Sequence, residues 1–313
     1  MKTNRLLELF SAGKSAVAGW MSFDSAYAAE LVGSAGFDAV VVDCQHGMAG
    51  HAQMLAMLQA LSHTPAVLMV RVSQNNLAEI NRALDAGAYG VICPLVNSGA
   101  EAVAFGRACR YPMGGMQGDR SFGPARGLLV GGSDYPQHAN AQILALAMIE
   151  TRAGLEAVEA IAAVALIDGL FIGPSDLGIA LGLGPAAAHT HPVLAAAITR
   201  IQQACSAAGK VTGIWCGSAE MARDMRAQGL QLVVPGHDAI WLNAEIARRL
   251  AAGGAAGVVN SRPAVRLGSA LLCLWPATSG LIPTFHNEQV GSHSIAALLA
   301  SRRHYLLLTP TEN

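Results

Sequence analysis

The segment SAGFDAVVVDCQHG, residues 34–47, contains the pattern that decides the fold. Gly36 lies where a helix-like stretch ends, and glycine can adopt the left-handed conformation that terminates a helix. An apolar run follows and stops at Asp43. Similar junctions recur at AGAYGV (86–91), ALIDGL (165–170), AGKVTG (208–213) and QGLQLV (228–233). The recurrence predicts repeated helix-to-strand units.

Eight apolar runs are predicted to be strands. They are AVAGWM (16–21), DAVVVD (38–43), AVLMVR (66–71), GVICPL (90–95), LALAMI (144–149), GLFIG (169–173), VTGIW (211–215) and LQLVVPG (230–236). Helices are predicted near 24–35, 50–61, 76–86, 98–110, 153–164, 191–208, 217–228 and 239–251. Runs that are apolar on both faces indicate a parallel sheet covered by helices. Eight such units in about 250 residues favour an α/β fold of the TIM (β/α)8 barrel type over a doubly wound open sheet.

Two segments fall outside this repeat. Residues 111–143 are predicted to be a long glycine-rich connection, and long connections of this kind are often functional. Residues 252–313 have no strand–helix period and are predicted to be an irregular C-terminal extension of the barrel domain, which spans 1–251.

Composition excludes several classes of protein. The chain has 313 residues, of which 52% are hydrophobic and 13% charged, which is unlike a disordered protein. No run of 18 apolar residues occurs, so a membrane protein is not expected. The net charge is −1 without a basic cluster, which argues against a nucleic-acid partner. Six cysteines without a CxxC pair, and an N-terminus unlike a secretory signal, predict a cytoplasmic location.

Polar residues stand where several predicted strands end. Asp43 and His46 follow the second strand, Arg71 ends the third, Glu150 follows the fifth and Asp176 follows the sixth. Active sites of TIM barrels lie at the carboxyl ends of the strands. Closure of the barrel would therefore gather these residues at one mouth, which predicts an enzyme.

The two carboxylates Glu150 and Asp176 are the candidate metal ligands. Oxygen ligands with open positions suit a hard divalent cation such as Mg²⁺ or Mn²⁺. Alternatively, each carboxylate only caps or opens a helix. Asp43 lies three residues before His46 and could accept from one ring nitrogen, which would leave the other as a general base.

Three further features complete the predicted mouth. Arg71 needs an anionic partner, either substrate or a salt bridge to Glu150 or Asp43. The turn Gly173–Pro174–Ser175 offers backbone N–H groups to an anion. Trp20 either walls the pocket or belongs to the core.

Lysine placement excludes one mechanism. The chain has three lysines, Lys2, Lys14 and Lys210, and none follows a predicted strand. A Schiff-base enzyme needs a lysine in the mouth. The sequence therefore favours metal-assisted polarisation of a carbonyl group.

With these residues identified, the sequence resembles the metal-dependent pyruvate aldolases of the HpcH/HpaI family. The resemblance covers about residues 5–250. The segments that carry it, in family order, are SAYAAELVGSAGFDAVVVDCQHG (25–47), VLMVRV (67–72), RYPMGGMQGDRS (110–121), AMIET (147–151) and DGLFIGPSDLG (168–178).

The resemblance implies a carbon–carbon lyase that cleaves a 4-hydroxy-2-keto acid reversibly to pyruvate and an aldehyde. Oxaloacetate decarboxylation is predicted as a side activity, because it would pass through the same pyruvate enolate. The resemblance implies that Glu150 and Asp176 hold Mg²⁺ or Mn²⁺, with Co²⁺ or Zn²⁺ as less favoured alternatives. His46 would be the base, supported by Asp43. It also implies a homo-oligomer, a hexamer built from dimers.

For the substrate, the resemblance implies that Arg71 stabilises the enolate. Backbone at Gly173 and Ser175, on either side of Pro174, would bind the carboxylate, and Trp20 would contact the substrate.

Two positions depart from the family pattern. Gln45 stands where many members have Glu, and Met148 stands where many have Gln. Three alternative functions remain: a CoA-thioester lyase of the citryl- or malyl-CoA type, a phosphate-binding TIM-barrel isomerase and a non-catalytic scaffold.

Overall fold

The computed structural model describes residues 1–253 and confirms the predicted barrel. Eight parallel strands pair in chain order, and the last strand pairs with the first to close the sheet. Apart from residues 252 and 253, the predicted C-terminal extension lies outside the described residues.

The strands agree with the predicted runs to within two residues at each end. They are β1 Ala16–Met21, β2 Ala39–Asp43, β3 Val67–Arg71, β4 Gly90–Cys93, β5 Leu144–Ile149, β6 Gly169–Ile172, β7 Val211–Cys216 and β8 Leu232–Pro235. The helices are α1 Arg5–Ser11, α2 Ala26–Ser34, α3 His51–Leu61, α4 Leu77–Asp85, α5 Gly99–Cys109, α6 Ala125–Gly131, α7 Tyr135–Gln142, α8 Arg152–Glu156, α9 Val158–Ala162, α10 Pro174–Ala180, α11 Pro192–Ala207, α12 Ala219–Ala227 and α13 Asp238–Ala252.

Alternate side chains along each strand face two separate cores. Trp20, Met69 and Phe171 belong to the cluster inside the barrel, whereas Val40 and Val70 pack in the layer between the sheet and the helices. This two-sided burial explains why the strands are apolar at nearly every position. Because both faces of the strands are apolar, a polar residue in the sequence indicates where a strand ends.

The prediction of an irregular connection over 111–143 is wrong for two stretches, which form α6 and α7. The buried Arg120 holds the segment 111–143 against the barrel. Its guanidinium carbon lies 4.3 Å from the ring centroid of Tyr111 and 5.4 Å from that of Tyr135. Arg120 also donates hydrogen bonds to Asp85 and to the Tyr135 hydroxyl, at 3.0 and 2.9 Å. Tertiary contacts therefore stabilise these helices, which at seven and eight residues are too short to be evident from periodicity.

Other differences are local. The single helix predicted over 153–164 is two short helices that meet at Ala157. Helices α1 and α10 were not predicted. In the part of the chain that is described, no helix is long and apolar enough to cross a membrane. Four of the cysteines are buried and Cys44 is half-buried, while Cys273 lies outside the described residues.

Arg110 is a buried anchor at the base of the barrel, and its removal should destabilise the protein. Its guanidinium donates to the Ile143 carbonyl at 2.8 Å and to Asp168 at 2.6 Å. Breaking such a pair leaves unpaired buried groups, and because Asp168 is partly exposed we expect a loss of about 2–3 kcal/mol for Arg110→Ala. Thermal melting should show a decrease in Tm of about 5–10 °C.

Arg107 provides the matched control. It pairs with Asp119 at 2.6 Å, but both side chains are about 40% exposed. Exposed pairs contribute less than about 1 kcal/mol, so Arg107→Ala should change Tm little. An equal decrease in Tm for Arg110→Ala and Arg107→Ala would contradict the structural role of Arg110.

Candidate active site

A pocket of about 240 Å³ opens at the carboxyl ends of the strands. Its lining comes from the ends of seven of the eight strands and from the loops that follow them. The lining residues are Trp20, Ser22, Asp43, His46, Arg71, Met148, Gly173, Pro174, Ser175, Asp176, Trp215 and His237. The structure thus brings the predicted strand-end residues to one mouth, with Glu150 buried beside it.

Asp43 and Arg71 form a buried ion pair at one side of this pocket. They are direct neighbours in the register of β2 and β3. Arg71 donates from Nε to Asp43 Oδ1 at 2.8 Å and from Nη2 to Oδ2 at 2.6 Å. Trp20 Nε1 also donates to Asp43, at 3.2 Å, and the Trp20 ring lies 4.9 Å from the Arg71 guanidinium carbon. Of the two readings of Arg71, the salt bridge to Asp43 is therefore observed.

The expected pairing of Asp43 with the His46 ring is not what the structure shows. Both oxygens of Asp43 are bound by Arg71, and Oδ1 also accepts the backbone N–H groups of Gln45 and His46 at 3.0 and 3.3 Å. Asp43 thus fixes the backbone of the loop that presents His46, and the imidazole is exposed at the rim of the pocket. Burial alone would raise the pKa of Asp43, but the hydrogen bonds and charge of Arg71 outweigh it and keep that pKa low.

Glu150 is a buried carboxylate, only 2% exposed. Its Oε1 accepts the backbone N–H of Leu95 at 2.8 Å. Leu95 has φ of +54°, the single positive value for a non-glycine residue among the described residues, and such strain is often concentrated at functional sites. Burial raises the pKa of Glu150, and the nearby negative charge of Asp176 raises it further.

The environment of Glu150 and Asp176 fits a divalent cation. Arg71 is neutralised by Asp43, and in the described part of the chain neither Glu150 nor Asp176 takes part in an ion pair. Within residues 1–253 no third His, Cys, Asp or Glu completes a ligand group of three beside them. Two neighbouring carboxylates that form no ion pair match the oxygen ligands that Mg²⁺ and Mn²⁺ prefer.

Gly173 and the first turn of α10 complete this side of the pocket. A Cβ on Gly173 would stand 2.8 Å from Glu150 Oε2, so the backbone can pass the carboxylate only without a side chain. Pro174 begins α10 and Asp176 lies in its first turn. The N–H of Ser175 has no partner within the helix at this position, because the first turn of a helix leaves its N–H groups free.

Ser22, Trp215 and His237 also line the pocket, although they were not among the predicted site residues. The polar residues that follow the seventh and eighth strands, in WCGS (215–218) and PGHD (235–238), were the available signal in the sequence. Asp238 accepts the backbone N–H groups of Ser22, Phe23 and Ala239, each at 2.9 Å. Since a protein carboxylate already occupies these donors, the phosphate-binding isomerase is disfavoured.

The two departures from the family pattern lie in or beside the pocket. Met148 lines it and is 2% exposed. The side-chain oxygen of Gln45 is buried without a hydrogen-bond partner among the described residues. Lys14 and Lys210 precede β1 and β7, so they lie at the opposite end of the barrel from the pocket. Neither is placed to form a Schiff base with a substrate in the pocket.

Comparison with known proteins identifies relatives with this architecture. A family model described as HpcH/HpaI aldolase/citrate lyase matches residues 17–243. The hydroxypyruvate/pyruvate aldolase of Rhizorhabdus wittichii is 39% identical over 241 residues, which cover 77% of this chain and 95% of the relative. The 4-hydroxy-2-oxo-heptane-1,7-dioate aldolase of Shigella sonnei is 33% identical over 262 residues, covering 84% of this chain and 99% of the relative.

A solved structure agrees with these matches. The HpcH/HpaI aldolase/citrate lyase family protein of Burkholderia cenocepacia superposes with a TM-score of 0.75 at 30% identity. The match covers 80% of this chain and 99% of that one. Sequence, family model and fold agree, and the chain belongs to the HpcH/HpaI aldolase/citrate lyase family.

Proposed function

We propose that the protein is a divalent-metal-dependent class II aldolase that cleaves 4-hydroxy-2-keto acids reversibly to pyruvate and an aldehyde. The observation that carries the proposal is the pair of carboxylates Glu150 and Asp176 beside the Asp43–Arg71 ion pair in one pocket. Because one relative is a hydroxypyruvate/pyruvate aldolase, the proposal includes hydroxypyruvate as an alternative to pyruvate. The lysine placement supports an enzyme without a Schiff base.

Glu150 and Asp176 would hold the cation. Mg²⁺ or Mn²⁺ is favoured over Co²⁺ or Zn²⁺, since both ligands are oxygen atoms. When bound, such a cation supplies Lewis acidity that polarises the keto group of the substrate. The N–H of Ser175 would bind the substrate carboxylate, and Pro174 would fix the turn that presents it. The expected second donor, the N–H of Gly173, is already hydrogen-bonded to the Ile149 carbonyl at 3.2 Å, so Gly173 contributes only the close approach of the backbone.

The remaining residues act on charge and protons. Arg71 is held by two hydrogen bonds to Asp43, so its guanidinium is positioned in advance for the negative charge that develops on the enolate oxygen. His46 would take the proton of the 4-hydroxyl group as the carbon–carbon bond breaks, and return it in the aldol direction. Trp20 and Trp215 would shield the reacting carbons from water.

The proposal extends to a side activity and to assembly. Oxaloacetate decarboxylation would pass through the same pyruvate enolate, so Arg71 would stabilise that enolate as well.

We also propose a cytoplasmic homo-oligomer, a hexamer built from dimers. In support, Leu242, Ile246 and Leu250 lie four residues apart on α13 and are each about half exposed, which is typical of a helix face that packs against another subunit.

Pyruvate release from a 4-hydroxy-2-keto acid tests the function. We expect cleavage with added Mg²⁺ or Mn²⁺, loss of activity after treatment with a chelator, and recovery when the metal is restored. Oxaloacetate should lose CO₂ under the same conditions. Full activity in the chelator would overturn the metal assignment, and the absence of pyruvate from every tested hydroxy keto acid would overturn the aldolase assignment.

A further inference from the structure

Ser22, His237 and Asp238 form a hydrogen-bonded group on the side of the pocket away from Glu150. Ser22 Oγ lies 2.5 Å from Asp238 Oδ1 and 3.2 Å from His237 Nδ1. His237 Nδ1 is also 3.6 Å from Asp238 Oδ1. Gly236, with φ of +101°, makes the turn that delivers His237 into the pocket. None of these three residues has a role in the mechanism proposed above.

The contacts determine which nitrogen of His237 carries the proton in the neutral ring. Asp238 has only acceptor oxygens, so the Ser22 hydroxyl must donate its proton to that carboxylate. The oxygen of Ser22 is then an acceptor toward His237 Nδ1, and Asp238 is a second acceptor on the same side. Nδ1 therefore bears the hydrogen, and Nε2 of the neutral imidazole is left as an acceptor.

The position of His237 indicates which part of a substrate it would meet. Glu150, Asp176 and Ser175 follow β5 and β6, where the proposed function places the keto and carboxylate oxygens. Arg71 lies at the end of β3. His46, after β2, is assigned to the 4-hydroxyl group. The remaining wall, formed at the ends of β7, β8 and β1, contains Trp215, His237 and Trp20, so it is the part of the pocket left for the other groups on the carbon chain.

We propose that His237, positioned by Ser22 and Asp238, is a specificity residue that accepts a hydrogen bond from a hydroxyl group on the substrate's carbon chain. The wall is otherwise aromatic: the Trp215 ring lies 6.4 Å from the His237 ring, between centroids. A hydroxyl group placed there without His237 would lose its hydrogen bonds to water, which is costly in a desolvated pocket. The inference rests on the proposed function for the placement of the keto acid.

Binding measurements test this without relying on turnover. Calorimetry in the presence of Mn²⁺ would measure the Kd of pyruvate and the Kd of hydroxypyruvate. Both would be measured for the wild-type protein and for His237→Phe, which keeps a ring but removes both nitrogens. The preference for hydroxypyruvate over pyruvate should fall about tenfold in His237→Phe, the usual effect of losing one such hydrogen bond. His237→Gln, whose amide reaches a similar position, should retain part of the preference. His138→Gln, at an exposed histidine outside the pocket, should behave as wild type.

A second arm finds which substrate carries the hydroxyl group. The kcat/KM for aldol addition of pyruvate to glycolaldehyde would be compared with that for acetaldehyde in the same variants. A loss of preference in either arm supports the proposal and assigns the hydroxyl to the keto acid or to the aldehyde. Unchanged preferences in both arms, or an equal loss for all substrates, would overturn it. Failure of the proposed function would instead appear as a wild-type protein that forms no aldol product.

Discussion

Replacing Glu150 by Gln should lower kcat/KM for aldol cleavage by about 10³-fold, the largest effect expected for a single substitution. Gln has the same shape as Glu and can still accept the Leu95 N–H, so the strained loop keeps its partner. What is lost is the negative charge that would hold the cation beside Asp176. Pyruvate release at saturating Mg²⁺ measures the effect.

A thermal measurement separates loss of metal binding from loss of folding. At a metal concentration about 100 times Kd, binding should add about 2.7 kcal/mol to the wild-type free energy of unfolding. This corresponds to an increase in Tm of about 5–10 °C, which Glu150→Gln should not show. Without metal the variant should be at least as stable as wild type, because it no longer buries a charge. The exposed Glu156 supplies the control, since Glu156→Gln should retain both activity and the metal-induced shift. A normal shift in Glu150→Gln would exclude Glu150 as a ligand.

Replacing Arg71 by Met should reduce both activity and stability. The loss of activity should be about 10²- to 10³-fold, since a positioned charge on the enolate oxygen is removed. Stability should fall by about 3–5 kcal/mol, because Asp43 is 3% exposed and would be left as an unpaired buried carboxylate. Urea unfolding and pyruvate release measure the two effects.

A double variant distinguishes the two roles of Arg71. Asp43→Asn combined with Arg71→Met no longer leaves an unpaired buried carboxylate at position 43, so it should recover part of the stability lost in Arg71→Met. Its activity should remain as low as that of Arg71→Met. If stability and activity recover together, the guanidinium acts only through folding and its proposed electrostatic role is wrong.

The strand ends could be predicted from the sequence, whereas the choice among the possible partners of the residues there could not. Asp43, Arg71 and Glu150 each interrupt an apolar run, which is visible in one dimension. The choice of Arg71 over His46 as the partner of Asp43 depends on the register between β2 and β3, which the sequence does not reveal. The sequence spacing of Asp43 and His46 suggested a local pairing, but Asp43 instead binds the guanidinium group of Arg71 on the neighbouring strand.

Three of the four unpredicted helices, α6, α7 and α10, have an identifiable physical origin. Helix α10 begins at Pro174, and proline at the first position of a helix is a signal that was available. Helix α7 likewise has a proline, Pro136, in its first turn, whereas α6 carries no such signal. Both α6 and α7 depend on the buried Arg120 and on Tyr135, whose contacts reach Asp85 in α4. Such long-range stabilisation leaves little trace in local periodicity.

The pairing of the last strand with the first has a consequence for how the enzyme is made. Ala16 pairs with Leu232, and Ser22 binds Asp238 across a separation of 216 residues. Long-range pairing of this kind is slow and leaves the first strand without its partner until the far end of the barrel has been synthesised. A nascent chain that stops before β8 therefore has neither a closed sheet nor the His237 wall. The pocket is therefore complete only after β8 and His237 have been synthesised, and a product truncated before β8 would carry Glu150 and Asp176 without the wall that completes it.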